Sequence, residues 1–392
     1  MLEEAFKGGK RYWTLVGFWV LVILTGVLAY RQQYIHGLSV TGLSNDVSWG
    51  LYIAQFTFLV GVAASAVMVV LPFYLHDFKA FGRMVILGEF LAVAACTMCG
   101  LFIVVDLGQP ARLMNIPLNP TLNSVMFWDM LVLMGYLFIN LIIGWKTFDT
   151  ERKGSHTYPK WVKPLIYLSI PWAVSIHTVT AFLYQGLAAR PFWMTAILAP
   201  RFLASAFASG PSLLIILALI LRRFTKFDVG TKAIQKLGTI VTYALLVNVF
   251  FLAVELFTAF YSGMEHHAHP FVYMYTGADG ASALVPWMWG SAALTVTALA
   301  LLIFPKNRKK EGLLGITCAI VIFAIWIEKG MGLVVTGFIP NPLGHMTEYT
   351  PTGIEVGVMF GVYGIGFLIL TVLYKIVVNV RERTEQAGPV EH

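Results

Sequence analysis

The sequence has 392 residues, of which 58% are hydrophobic and only 12% are charged. A soluble domain carries about a quarter charged residues, so this composition excludes a water-soluble fold of this length. The formal net charge is +7. This excess does not indicate a nucleic-acid partner, because the basic residues lie in short links between apolar runs, which is typical of membrane orientation.

Ten apolar runs follow one another along the chain, each about 20 residues or longer and so able to cross about 30 Å of hydrocarbon. They lie near 12–30, 49–75, 83–107, 123–147, 162–187, 192–221, 238–262, 284–304, 313–337 and 354–378. The first run has no small-residue cleavage site, so we expect a retained helix and not a signal peptide. The sequence therefore predicts an all-α polytopic membrane protein, with residues 1–392 forming one integral membrane domain.

The Lys and Arg residues of the links predict the orientation of the chain. One side of the membrane would carry only Arg31, Arg112 and Arg190, whereas the remaining basic residues of the links, including Lys153 and Arg383, fall on the side of both termini. Cytoplasmic loops carry the excess of Lys and Arg. We therefore expect a multi-pass protein of the cytoplasmic membrane with both termini in the cytoplasm.

Several charged or titratable residues fall inside the predicted spans, where each charged group costs roughly 2.5–3.5 kcal/mol on insertion scales. Those in the outer half of their spans are Asp106, Asp129, His177, Arg201, Glu255, Glu328 and Lys329, and Arg190 and Glu355 stand at the outer boundary. This preference for one leaflet predicts a single polar pocket that opens toward the outer face. The alternative is a set of buried ion pairs that only fix how the helices pack.

His177, Thr180 and Tyr184 stand at i, i+3 and i+7 and so share one face of a helix. A histidine titrates near neutral pH, and with two hydroxyl groups it could hold a quinone carbonyl and exchange its proton. Glu89 lies in the inner half of its span. It is either a step for protons moving between the cytoplasm and the pocket or a solitary hydrogen-bonded carboxyl near the headgroups.

The sequence gives little support for a metal or haem centre. The cysteines Cys96, Cys99 and Cys318 all lie in apolar runs, and three thiolates cannot supply the four of an iron–sulfur cluster. Only His177 lies in mid-span, whereas a two-haem cytochrome b needs paired histidines on facing helices. We expect no haem, no cluster and no metal in this chain, with the residues around His266 forming a solvated outer loop.

Five segments resemble the NrfD/PsrC family of membrane quinone subunits. They are Val105–Arg112 (VDLGQPAR), Asn123–Asp129 (NSVMFWD), Ser175–Tyr184 (SIHTVTAFLY), Ala189–Trp193 (ARPFW) and Ala199–Ala206 (APRFLASA). The resemblance covers nearly the whole chain. Its ten-span layout is similar to the HybB, ActC and DsrP branches, and the DsrP branch, from complexes of sulfur-metabolising microbes, is the best match.

The resemblance implies two four-helix bundles with two flanking helices and a menaquinone or menaquinol site near the outer face. It also implies a ferredoxin-like iron–sulfur partner docked on that face, a multihaem cytochrome c, and further membrane and cytoplasmic redox subunits. By motif position the catalytic residues would be His177, Asp106, Asp129 and Arg201, and the quinone contacts His177, Thr180, Tyr184, Trp128 and Arg190. Three further residues are candidates for a proton path because of their depth in the membrane: Glu89, Glu255 and Lys329.

The resulting hypothesis is a membrane subunit that exchanges electrons between menaquinol and an iron–sulfur partner, coupled through Glu89 to proton movement. His177 would hydrogen-bond or protonate the quinone, and Asp106 and Asp129 would accept or deliver protons. Arg201 and Lys329 would hold those two carboxylates ionised by proximity. Two other classes stay open: a secondary transporter, since charges and interrupted helices also line substrate pathways, and a purely structural anchor for redox partners.

Overall fold

The computed structural model describes residues 3–152 and 159–386, so Lys153, which was used for the predicted orientation, lies outside it. The described residues are helical and contain no strand. Within these residues, ten helices are long and apolar enough to cross a membrane, which confirms the predicted fold class. They are α1 (Lys10–Val40), α2 (Leu51–Leu75), α3 (Lys79–Asp106), α4 (Val125–Thr150), α5 (Val162–Gln185), α6 (Leu198–Phe224), α7 (Thr231–Tyr261), α8 (Val285–Ile303), α9 (Glu311–Thr336) and α10 (Gly353–Glu382).

Short links join these helices, so consecutive helices run in opposite directions. We call the side where α1 begins and α10 ends the terminal face, and the other side the distal face. The links that follow α1, α3, α5, α7 and α9 lie at the distal face. The position of a residue along its helix therefore gives its depth between the two faces, at about 1.5 Å of rise per residue.

Eight of the ten spanning helices pack in two groups of four. The first bundle contains α2–α5 and the second contains α6–α9, while α1 and α10 pack on each other and α10 also lies against α3. The contact between α1 and α10 is close because glycines face each other: a Cβ added to Gly26 would clash with the Gly361 Cα. The bundles meet where α2 contacts α6 and α9. Small residues permit this approach, as a Cβ on Gly210 would lie 2.8 Å from the Ser65 Cβ.

Two of the described spanning helices change helix type in their interior. In α2 a 3₁₀ turn at Ala64–Ala66 separates two α-helical segments. In α9 the residues Trp326–Gly332 form a π-helical turn. Such turns occur frequently at functional sites. Here the π turn contains the adjacent residues Glu328 and Lys329, which are both buried in the second bundle, at 8% and 4% exposure.

The structure corrects two predicted boundaries on the distal side. The run near 192–221 does not begin as a membrane helix, because Pro191–Trp193 form a separate 3₁₀ turn and α6 starts at Leu198. The segment around His266, expected to be a solvated loop, is the start of a helix, Glu265–Thr276. That helix is held in place because Phe271 and Met274 are buried at 5% and 4% exposure, and because it contacts α8 and the 3₁₀ turn.

Candidate functional site

The first group of polar residues lies where α4 and α5 pack together in the first bundle. Thr180 Oγ1 donates a hydrogen bond of 2.7 Å to Asp129 Oδ1, and both residues are buried. One turn away, His177 Nδ1 lies 3.0 Å from the Ala173 carbonyl oxygen. If Nδ1 carries the proton and donates to that oxygen, the neutral ring presents Nε2 as an acceptor. His177 Nε2 is buried and has no hydrogen-bond partner among the described residues.

An aromatic cluster lies between this group and the distal face. The Tyr184 hydroxyl is hydrogen-bonded to the Thr57 hydroxyl of α2. The Tyr184 and Trp193 ring centroids are 5.0 Å apart, and Trp49 stacks on Trp193 at 5.8 Å. Trp193 is fixed by a hydrogen bond of 3.0 Å from its Nε1 to the Leu333 carbonyl oxygen. His177, Thr180 and Tyr184 are thus all buried on one helix face, as their spacing predicts.

The distal links are held over the aromatic cluster by Arg190 and Asp46. The Arg190 guanidinium stacks on the Phe338 ring at 4.5 Å and donates to the Asp46 carbonyl oxygen at 3.4 Å. The Asp46 carboxylate accepts hydrogen bonds from Thr347 Oγ1 at 2.6 Å and Asn341 Nδ2 at 2.8 Å. These bonds, with that of Thr347 first, lower the pKa of Asp46 below its usual value. We call this arrangement the distal cap.

The second group is a charge cluster in the second bundle. The Arg201 guanidinium on α6 forms ion pairs with Glu255 on α7 and Glu328 on α9, and Asn248 Nδ2 donates to Glu328 at 3.3 Å. The sequence had predicted that Arg201 lies close to Asp106 and Asp129. Arg201 is instead paired with Glu255 and Glu328. The reason is that both terminal nitrogens of its guanidinium are already occupied by carboxylates of the second bundle.

Lys329 lies beside this cluster and points to the junction of the two bundles. Its Nζ donates to the Phe202 carbonyl oxygen at 3.3 Å and lies 4.4 Å from the centroid of the Phe202 ring. A Cβ on Gly61 of α2 would stand 3.3 Å from the same ammonium. Lys329 is also within electrostatic range of His177.

Asp106 lies in a third group, at the distal end of α3. It is within electrostatic range of Glu355, and its Oδ1 is buried without a hydrogen-bond partner among the described residues. Nearby, Gln33 accepts a hydrogen bond of 2.6 Å from the Tyr52 hydroxyl and donates one of 2.6 Å to the Val105 carbonyl oxygen. The sequence predicted one polar pocket, whereas the structure has three neighbouring groups of polar residues.

A cavity of about 240 Å³ adjoins the third group. It is lined by Tyr30, Gln33 and Tyr34 of α1 and by the turn from Leu107 to Ala111. No sequence signal indicated this cavity, because it depends on the way α1 packs beside the link after α3. Glu355 is fully buried below the distal links, where it accepts hydrogen bonds from the Tyr349 hydroxyl at 2.6 Å and from the Gly42 backbone amide at 2.7 Å.

Two of the predicted site residues lie apart from these groups. Trp128 is 40% exposed on the surface of α4 and donates a hydrogen bond of 2.8 Å to the Leu122 carbonyl oxygen, so it does not line the buried group of Asp129. Glu89 is 1% exposed in the terminal half of α3. Sequence reasoning missed Thr57 and Asn248, which are single polar residues within apolar runs, and Trp193, which looked like part of a membrane helix.

The fold and these groups together define a class: a polytopic all-α membrane protein whose two helical bundles bury titratable residues, most of them near one face. The chain belongs to the NrfD family, described as polysulphide reductase, NrfD, whose family model matches residues 39–339. That match covers both bundles as far as the end of α9.

Three relatives match almost the full length of the chain. A putative dimethyl sulfoxide reductase membrane subunit from Halobacterium salinarum is 28% identical, over 91% of this chain and 88% of its own. An Hdr-like menaquinol oxidoreductase integral membrane subunit from Archaeoglobus fulgidus is 26% identical, over 95% of both chains. A selenate reductase subunit from Mesobacillus selenatarsenatis is 22% identical, over 94% of both. These relatives are subunits of reductase or oxidoreductase complexes, which implies redox partner subunits for this chain.

Proposed function

We propose that this chain binds menaquinone or menaquinol at the group of His177, Asp129 and Thr180 and exchanges its electrons with a ferredoxin-like iron–sulfur subunit on the distal face. In this proposal the distal face is the outer side of the cytoplasmic membrane, and both termini are cytoplasmic. The observation that carries it is His177 Nε2, a buried ring nitrogen with no partner among the described residues. A buried polar atom of this kind calls for a ligand or water partner.

The residues present fit a quinone headgroup. Tyr184 and Trp193 supply flat apolar surface, and His177 Nε2 can accept a hydrogen bond from a quinol hydroxyl. Menaquinol supplies two electrons and two protons when it is oxidised, and the iron–sulfur partner takes the electrons one at a time. His177 accepts one proton and Asp129, oriented by its bond from Thr180, accepts the other. For electron flow in the opposite direction, the same groups donate the protons.

The proposed partners follow from the chemistry and from the relatives. A chain without four thiolates cannot hold a tetrathiolate cluster by itself, so the electrons need a second subunit. The relatives include subunits of a menaquinol oxidoreductase and of a selenate reductase. We extend the proposal to a complex that also contains a multihaem cytochrome c and further redox subunits, and that serves sulfur or sulfate metabolism.

The test is a menaquinol titration of the purified protein, followed by quenching of its intrinsic fluorescence and by displacement with a quinone-site inhibitor. Trp49 and Trp193 lie in the aromatic cluster, so binding there should quench their emission. We expect saturable binding that His177→Ala weakens at least about tenfold, the loss that corresponds to about 1.4 kcal/mol. Thr178→Ala is the matched control, since the Thr178 hydroxyl only donates to the Val174 carbonyl of its own helix at 3.0 Å.

Absence of saturable binding in well-folded wild-type protein would contradict the proposal. Binding that His177→Ala leaves unchanged would place the quinone elsewhere, with the cavity beside Asp106 as the next site to test. If electron transfer in the whole complex also survives His177→Ala, the chain acts as an anchor for its partners.

A transport function is the second candidate, because the π-helical turn of α9 carries the adjacent charges of Glu328 and Lys329. Interrupted helices with such charges bind substrates and ions in secondary transporters. Transport predicts solute flux through vesicles that contain this chain alone, with no quinone present.

A further inference from the structure

The cavity between α1 and the link after α3 is closed on its inner side. Its inner wall is Gln33, which is 3% exposed and whose side-chain amide is held by hydrogen bonds with Tyr52 and Val105. Its rim is Tyr34, which is 71% exposed. The cavity therefore opens toward the surface of the molecule and not toward the interior of the first bundle.

The cavity lies at the level where the hydrocarbon of the membrane meets the lipid headgroups. On α1, Tyr30 ends the apolar run and Arg31 is the first charged residue after it. On the other side, the lining residues Leu107–Ala111 directly follow the end of α3. Tyrosine is enriched at this level of a membrane, and Tyr30 and Tyr34 both line the cavity. A molecule that enters here therefore comes from the headgroup region of the distal leaflet.

Two arginines flank the cavity on a side of the protein that carries few cations. Outside the buried charge cluster, the distal side contains three Lys or Arg residues: Arg31, Arg112 and Arg190. Arg190 is bound in the distal cap. Arg31 follows Tyr30 and Arg112 follows Ala111, both side chains are exposed, and neither has an ion pair or hydrogen bond among the residues that the structure describes. None of the residues that line the cavity is acidic.

The surface of α1 below the cavity continues into the hydrocarbon region. Val20, Val27 and Tyr34 are spaced by seven residues, as are Leu24 and Arg31, so each set lies along one side of the helix. Val20, Leu24 and Val27 are exposed, and only 6% of the apolar part of α1 is buried within the described structure. An acyl chain can therefore lie along α1 while its headgroup is held at the level of Arg31.

We propose that the cavity binds the phosphate headgroup of an anionic phospholipid of the distal leaflet, between Arg31 and Arg112. The guanidinium groups and the hydroxyls of Tyr30 and Tyr34 are hydrogen-bond donors, which suits the acceptor oxygens of a phosphate. Basic pockets between membrane helices bind such headgroups. The volume of about 240 Å³ is smaller than the roughly 300–1,000 Å³ of pockets that enclose a whole ligand. The headgroup therefore enters and the acyl chains stay in the membrane.

A menaquinol headgroup suits this cavity less well than a phosphate does. It is neutral, so it would leave the charges of Arg31 and Arg112 uncompensated. A quinol also has to donate its two hydroxyl groups, whereas the side-chain oxygen of the inner wall, Gln33 Oε1, already accepts the hydrogen bond from Tyr52. The lipid site is thus separate from the quinone site at His177, and it does not depend on the proposed function.

A lipid bound in this way connects the distal end of α1 to the first bundle. The long contact of α1 is with α10, and near its distal end α1 is joined to α3 by the hydrogen bond of 2.6 Å from Gln33 to the Val105 carbonyl oxygen. Arg31 belongs to α1 and Arg112 to the link after α3. A phosphate shared by the two arginines therefore adds a second connection at the same level.

The first test is native mass spectrometry of the protein purified in detergent with added phosphatidylglycerol. We expect the wild type to retain one phosphatidylglycerol per chain, and Arg31→Gln/Arg112→Gln to bind it at least about tenfold more weakly. Arg11→Gln/Arg223→Gln is the matched control, since it removes two exposed arginines from the terminal face. A wild type that retains no phosphatidylglycerol, or an equal loss in the control, would overturn the proposal.

A second variant tests the cavity without changing the charge. Ala111 lines the cavity, so Ala111→Trp should fill it while both arginines remain. We expect the same loss of phosphatidylglycerol as in the double arginine variant. If Ala111→Trp retained the lipid, the arginines would attract lipid to the surface without holding a headgroup in the cavity, and the proposal would be wrong.

Thermal unfolding of delipidated protein distinguishes a lipid from a soluble anion. A ligand that binds only the folded protein stabilises it, so phosphatidylglycerol in mixed micelles should raise the unfolding temperature of the wild type but not of Arg31→Gln/Arg112→Gln. Phosphatidylcholine, which has no net charge, should raise it less, and inorganic phosphate should not raise it. An equal shift with inorganic phosphate that requires the two arginines would overturn the assignment to a lipid.

Menaquinol binding separates this site from the quinone site. We expect Ala111→Trp to bind menaquinol as the wild type does, because the cavity is closed toward the first bundle by Gln33. Loss of menaquinol binding in Ala111→Trp, with phosphatidylglycerol retained, would identify the cavity as the quinone site and contradict the lipid proposal. Loss of menaquinol binding in the wild type would instead contradict the proposed function and leave the lipid site unaffected.

Discussion

The two bundles both bury titratable residues but distribute them differently. In the second bundle, Arg201, Glu255, Glu328 and Lys329 are gathered in the distal half, where Arg201 bridges both carboxylates. In the first bundle, Asp129 accepts its hydrogen bond from the neutral hydroxyl of Thr180, and Glu89 stands at a different depth, with hydroxyl and amide groups between the two carboxyl groups.

This difference lies in the partners of the buried carboxyl groups. Arg201 bridges the two carboxylates of the second cluster, and these ion pairs join α6, α7 and α9. The partner of Asp129 is the neutral hydroxyl of Thr180, whereas Glu255 and Glu328 are bound to a guanidinium. In the proposed function, the first bundle therefore exchanges protons with the quinone, while the ion pairs of the second bundle join its helices.

The largest effect should come from breaking the charge cluster. Arg201→Leu leaves Glu255 and Glu328 with Lys329 as the remaining cation of the cluster, and removal of one partner of a buried pair costs about 3–5 kcal/mol. We expect the protein to fail to accumulate in membranes as a folded species, as measured by size-exclusion chromatography of detergent extracts.

The double variant Arg201→Leu/Glu255→Gln removes one positive and one negative charge and leaves Glu328 beside Lys329. It should recover a large part of the folded protein. If Arg201→Leu alone accumulated like the wild type, the cluster would not have the structural role assigned to it.

Replacement of Asp129 should impair turnover but not folding, in contrast to replacement of Arg201. Asp129→Asn keeps the size of the side chain and can still accept the hydrogen bond from Thr180, so we expect near-normal accumulation and thermal stability. Turnover of the complex should fall by about a hundredfold, within the range of general acid–base contributions. The assay is menaquinol-dependent reduction of the partner subunit. Loss of folded protein in this variant would remove the contrast between the bundles.

The sequence predicted the ten helices and the face of His177, Thr180 and Tyr184, because hydrophobic length and helical spacing are local properties. It did not predict which charges pair. Depth in the membrane does not distinguish Asp129 from Glu328 as a partner of Arg201, and only the packing of α6 against its neighbours decides the outcome. The π-helical turn at Trp326–Gly332 also has no sequence signal.

The same limit applies to Trp193 and Trp128. Both lie in motifs that resemble the family, yet one is fully buried in the aromatic cluster and the other is 40% exposed. The turn at Pro191–Trp193 directs Trp193 inward, where Gly337 makes room for it, since a Cβ on Gly337 would clash with the Trp193 ring. Motif membership therefore identified the region of the site but not the direction of each side chain.

Replacement of Thr180 should have a smaller effect, and it should slow turnover more than it weakens quinone binding. Thr180→Val removes the hydrogen bond to Asp129 and keeps the shape of the side chain. A hydrogen bond to a charged group contributes about 1.5–3 kcal/mol, and about 1.4 kcal/mol corresponds to a tenfold change in rate. We expect kcat to fall about tenfold, with a smaller loss of affinity in the menaquinol titration. A matching loss of binding would mean that Thr180 contacts the quinone itself.

The smallest effect concerns the distal cap, which lies outside both bundles. The bonds from Thr347 and Asn341, together with the charges of His345 and Arg190, lower the pKa of Asp46 from its usual value of 3.8. A lowered pKa contributes stability that is present above the usual value and is lost as the pH falls through the folded pKa. We therefore expect the links around Asp46 to become more accessible to an acid protease such as pepsin only below about pH 4. Asp46→Asn should lose this pH step, and a step that persists in that variant would assign it to another carboxyl group.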